Sequence, residues 1–160
     1  MKIAILLVVK FLVIAAYAFS LPVNANESKN TEVTKPINQL FDAMRTHDRD
    51  LLLAQFTANA MLQRIQPNGE VKQSNLISFA DSIAKSTKYL DEKLLAVQIQ
   101  QQGNMASVWT PFAFYLDKKL SHCGVNSFQL VKTEQGWKIQ YLIDNTYQGD
   151  CNAFIASFKK

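Results

Sequence analysis

The chain has 160 residues, with 17 Lys and Arg against 13 Asp and Glu, for a formal charge of +4. This length fits a single domain able to bury a substantial core. No Lys/Arg cluster is interleaved with aromatic residues, so a nucleic-acid-binding footprint is missing and nucleic acid is not an expected partner.

Residues 1–25 have the layout of a secretory signal. Lys2 stands near the start, an apolar stretch runs from Ile3 to Leu21, and Val23 and Ala25 occupy the small-residue positions before a cut. Lys10 interrupts the apolar stretch, which disfavours an uncleaved membrane anchor. Cleavage would remove Lys2 and Lys10 but no acidic residue, lowering the charge from +4 to +2. The expected product is an exported, periplasmic or extracellular protein with no membrane attachment.

Residues 26–32 are polar and read as a flexible leader, followed by one domain over 33–160. Val33, Ile37, Leu40, Phe41 and Met44 form one helical stripe, with Pro36 placed in its first turn. A short helix follows in "DRDLLLAQF", capped by Asp48. "ANAMLQRIQPNGEVKQ" reads as a strand, a turn at Pro67 to Gly69 and a return strand. "SNLISFADSIAKS" reads as a third helix starting from Ser74, with Leu76, Phe79 and Ile83 as its apolar side.

Beyond this point the period changes to two. Leu95, Val97 and Ile99 alternate with polar or small residues, "QQGN" turns the chain, and Ala106, Val108, Thr110, Phe112 and Phe114 form one face of the next strand. Pro111 predicts a bulge or an edge in that strand, because it cannot donate to a ladder. With "TEQG" as a loop, Lys132 faces Trp137. Counting outward then pairs Leu130 with Ile139, Phe128 with Tyr141, and Asn126 with Ile143. That register sends Phe128, Leu130, Ile139, Tyr141 and Ile143 to the core and turns Asp144 away. Helices followed by a run of antiparallel strands indicate an α+β domain with a curved sheet wrapped on two or three N-terminal helices.

Cys123 and Cys151 can form a disulfide in an oxidising compartment. Two unpaired thiols, or a Cys123 nucleophile activated by His122, are the alternatives. Neighbours on a strand point to opposite faces, which separates imidazole from sulfur unless a bulge intervenes.

"RTHDRDLLLAQFTANAML" resembles the helix-loop-helix-strand opening of the nuclear transport factor 2-like, or SnoaL-like, superfamily. The segment from Ala106 to Cys151 is similar to its lumazine-binding-like branch in Trp109, Pro111, Phe112, His122, Cys123, Gly124, Gly136, Trp137, Lys138, Ile139 and Cys151. The resemblance implies a cone-shaped α+β barrel, often a homodimer, with a pocket between sheet and helices. The expected lining is Phe56, Phe112, Phe114, His122, Phe128 and Tyr141, around a small hydrophobic ligand.

His122 is the candidate proton carrier, with Asp144, Tyr141, Tyr115 and Asp48 as conceivable partners; no catalytic residue is assigned. The acidic and tyrosine triad of the superfamily's steroid isomerases is not carried over, since Asp144 is expected to face outward. No metal-ligand spacing and no phosphate loop is present, so neither metal nor cofactor is expected. Trp109 and Tyr115, opposite Phe112 and Phe114, form an aromatic outer face read as a dimer interface, with a ligand surface as the alternative. The leading reading is a binding or accessory domain. The rival is a cofactor-free isomerase, dehydratase or cyclase.

Overall fold

The computed structural model describes residues 25–159. Apart from Ala25, the expected signal lies outside the described residues. Among those described, no helix is long and apolar enough to cross a membrane.

The elements run α1 (Ala25–Thr46), α2 (Arg49–Leu53), β1 (Phe56–Ile65), β2 (Val71–Ser74), α3 (Leu76–Ala84), β3 (Leu90–Leu94), β4 (Gln98–Gln102), β5 (Met105–Leu116), β6 (Lys119–Thr133), β7 (Gly136–Thr146) and α4 (Cys151–Ala156). The expected stripe on α1 is buried throughout, from Val33 to Met44. The helix itself begins earlier than Pro36 suggested, so the segment expected to be a flexible leader is helical. Pro36 is an interior residue there, and lacks the N–H that would bond back along the helix. Ala, Glu and Lys before it are strong helix formers, which favours continuation upstream.

Asp48 caps α2 as expected, its Oδ1 accepting from Leu51 N at 2.9 Å. The start of α3 differs by one residue: Ser74 ends β2, and Asn75 is the cap, accepting from Ser78 N at 3.0 Å. Gly69 takes a φ of +83° in the β1–β2 turn, where a side chain would be strained.

The seven strands form one curved, unclosed sheet in the order β2-β1-β7-β6-β5-β3, with β4 also pairing with β5. Only the β1–β7 contact is parallel among these pairings. β3 and β4 pair with successive stretches of β5, and Pro111 falls between them. Its carbonyl accepts from Leu95 N at 2.8 Å on that side, so the missing N–H also faces the gap and no ladder bond is sacrificed. The bulge in this ladder lies further on, where Ser121 of β6 is the extra residue between the pairs Phe114–His122 and Tyr115–Leu120.

The β6–β7 hairpin starts in the expected register, with Lys132 opposite Trp137 and Leu130 opposite Ile139. An irregularity at Gln140 then shifts it. Tyr141 pairs with Gln129, Leu142 with Phe128, Ile143 with Ser127 and Asp144 with Asn126. Because strand faces alternate, one extra residue reverses the assignment beyond it. Leu142 and Asp144 turn inward, while Tyr141 and Ile143 take the other face.

Helices α1 and α3 cover the inner face. Their apolar residues join Val108, Phe128, Leu130, Ile139 and Leu142 in one core, with Phe41 meeting Phe128 edge to face at 6.4 Å. Cys123 and Cys151 are joined in a disulfide, which ties α4 to β6.

Candidate functional site

A cavity of about 400 Å³ lies between the helices and the inner sheet face. Its apolar wall combines Leu40, Phe41 and Met44 of α1, Phe79 and Ile83 of α3, and Leu90, Phe114 and Leu142 of the sheet. Polar residues share one side.

The register explains that side. Lys72, Arg64, Asp144, Asn126 and Thr110 are successive cross-strand partners from β2 through β1, β7 and β6 to β5. All but Thr110 line the cavity. Arg64 Nε donates to Asp144 Oδ1 at 2.8 Å, and its Nη2 donates to Oδ2, a two-point grip on one carboxylate. Asn126 is buried and donates through Nδ2 to Glu92 Oε1 at 2.7 Å and, more weakly, to Thr110 Oγ1 at 3.4 Å.

Glu92 enters from β3, between Leu90 and Leu94. Burial pushes its carboxyl up to about 7, with a smaller upward push from Asp144; the Asn126 bond and Arg64 act in the opposite direction. A carboxyl of this kind can both take and give a proton near neutrality.

His122 also lines the cavity. Its ring is 4.9 Å from that of Phe114 and meets Phe112 edge-on at 5.8 Å. Its Nδ1 lies 3.2 Å from Ser121 Oγ. Burial lowers its affinity for a proton, and Arg64 adds to that effect, while Asp144 opposes it. Glu92 and His122 therefore flank Phe114, which pairs with Glu92 on one side and His122 on the other.

Of the expected lining residues, Phe114 and His122 face the cavity. Phe112 and Phe128 are buried behind it, and Phe56 borders a separate cleft with Thr57 and Lys138. Tyr141 lies on the opposite face, its hydroxyl donating to Gln63 Oε1 at 2.7 Å. Asp144, expected to face out, faces in; Tyr115 and Asp48 are not lining residues.

Sequence reasoning missed Arg64, Glu92 and Asn126. Each stands two residues from an inward apolar neighbour: Leu62, Leu90 and Phe128 respectively. A polar residue in phase with an apolar face was the available signal. Among the described residues, no group of three or more His, Cys, Asp or Glu could hold a metal ion.

A SnoaL-like domain family model matches residues 33–142. The chain belongs to the SnoaL-like family. Solved structures agree on the fold of this SnoaL-like domain at low identity. A protein of unknown function from Mycobacterium tuberculosis is 15% identical with a TM-score of 0.67, the match covering 86% of this chain and 89% of that one. A proposed dehydratase of the NTF2-like family from Streptomyces avermitilis is 17% identical with a TM-score of 0.64, covering 78% and 99%. A proposed scytalone dehydratase from Novosphingobium aromaticivorans is 12% identical with a TM-score of 0.64, covering 77% and 87%. No curated protein is significantly similar to the sequence. The finer likeness to the lumazine-binding-like branch rests on the sequence motifs alone.

Proposed function

We propose that this is an exported SnoaL-like domain that takes up a small organic molecule with an apolar body and a polar end. The observation carrying this reading is the cavity itself: apolar walls from α1, α3 and the sheet, with Arg64, Glu92, Asn126 and Asp144 gathered on one side. Such a division orients a ligand, because the body is held by burial and the polar end by the few groups that can bond it. Export is supported by the signal-like leader and by the disulfide, a bond favoured in oxidising compartments. Exposed Trp109 and Met105 on β5 support self-association through the outer sheet face.

Thermal-shift screening of the mature chain against small amphipathic organics tests the pocket. Binders should raise the melting temperature, and Phe79→Asp, which puts a charge into the wall, should abolish the shift. Binders that ignore this substitution would place uptake elsewhere and overturn the reading.

A second reading, cofactor-free proton transfer, is favoured by Glu92. With its carboxyl near 7, it exists in both protonation states at neutral pH and faces an apolar space. It would draw a proton from the carbon beside a carbonyl and return it to another carbon, giving isomerisation, or hand that same proton to a hydroxyl leaving from the next carbon, giving dehydration and releasing water. The proposed dehydratases sharing the fold lend this chemistry context. Deuterium uptake beside the carbonyl of simple cyclic ketones, followed by NMR, should be accelerated by the wild type and not by Glu92→Gln; equal rates would exclude Glu92 as the carrier.

A further inference from the structure

Arg64 and Lys72 are direct cross-strand partners, and both line the cavity. Like charges directly opposite each other in a sheet are destabilising, so stability does not account for the pair. Asp144 relieves only half of it, since both its carboxylate oxygens are engaged by Arg64. Glu92, the other carboxyl in the cavity, is bonded to Asn126. Among the described residues, Lys72 forms no ion pair. The Lys72 ammonium at the cavity's polar end is thus left without an ion-pair partner among the described residues.

From this we infer that the ligand is an organic monoanion, a carboxylate on an apolar aliphatic or aryl body, with the anion between Lys72 and Arg64 and the body against Phe79, Phe114 and Leu142. The stoichiometry favours a single charge: a dianionic phosphate would leave excess negative charge beside Asp144. The inference rests on the pocket reading above and names the ligand class for that same site.

The test compares acids with their neutral, nearly isosteric amides. Octanoate and 4-phenylbutyrate, each alongside its primary amide, would be titrated calorimetrically into the wild type, Lys72→Gln, and the surface control Lys119→Gln. Lys72 is exposed on a short strand, so its replacement should leave folding intact. The wild type should prefer acid over amide by about tenfold, the worth of one charge-assisted contact. Lys72→Gln should erase that preference by weakening acid binding more than amide binding, and Lys119→Gln should behave as wild type. Equal binding of acid and amide to the wild type, or an acid preference that survives Lys72→Gln, overturns the monoanion inference and leaves the pocket reading standing. Failure of all four compounds to bind overturns the inference and counts against the pocket as well.

Discussion

At Glu92, burial and hydrogen bonding oppose each other, and the consequence is measurable. Its folded value of about 7 lies above the ordinary 4.5, so the folded state holds the proton more tightly than the unfolded state. Stability should therefore fall as pH rises from about 4.5 to 7, by at most about 3 kcal/mol, and level off above that range. His122 acts with the opposite sign: its lowered proton affinity makes stability rise with pH up to its ordinary value of 6.5. The difference between wild type and Glu92→Gln isolates the first effect, since Gln keeps the acceptor for Asn126. Urea unfolding across pH 5 to 8 should show the variant gaining on the wild type as pH rises; a constant difference would mean that Glu92 is not held in its protonated form. Gly124 offers a steric counterpart. A Cβ there would sit 1.9 Å from Asn145 O and 3.0 Å from Phe112 Cζ. Because the nearer obstacle is backbone, Gly124→Ala should force β6 and β7 apart and cost about 1–3 kcal/mol in chemical denaturation.

Among the elements, the short α2 gives a direct check on capping. Asp48→Ala removes the acceptor for Leu51 N and should cost about 1 kcal/mol, read from thermal or urea unfolding. Elements with strong periodicity were legible in the sequence: the buried stripe of α1, the β1–β2 turn at Gly69 and the tip of the β6–β7 hairpin all stand where alternation and turn chemistry put them. The polar half of the site was not legible, for two physical reasons. The extra residue at Gln140 resets the alternation, and no local feature of "KIQYLID" marks where the reset occurs, so Asp144 was assigned outward and Tyr141 inward. In β3, Glu92 interrupts an otherwise apolar phase between Leu90 and Leu94, and a charged residue at the centre of a five-residue strand hides the strand itself. His122 and Phe114 were found because their strands alternate cleanly as far as the cavity.

The whole molecule is an open sheet held around a cavity, with its last helix fastened by Cys123–Cys151. The loop closed by that bond spans 28 residues, for which chain entropy predicts about 3–4 kcal/mol of stabilisation, less any native strain. The double variant Cys123→Ser/Cys151→Ser should lose that much in reversible unfolding, and reduction of the wild type should add the mass of two hydrogens; an unchanged mass would contradict the bond. Cys123 is the immediate neighbour of His122, so the same variant should also loosen the cavity wall and quicken amide exchange along that end of β6. The irregularity in β7 bears differently on changes of chain length. Ile139 pairs with Leu130 and Tyr141 already pairs with the next residue, Gln129, so Gln140 is surplus to the ladder. Deleting its codon would merely iron out the strand and keep Leu142 and Asp144 facing the cavity, at the loss of the bond from Thr57 and the bond to Asn59 O. Deleting any one codon from Leu142 to Asp144 would instead shift the following residues by one place, putting Asn145 where Asp144 stands and robbing Arg64 of its partner.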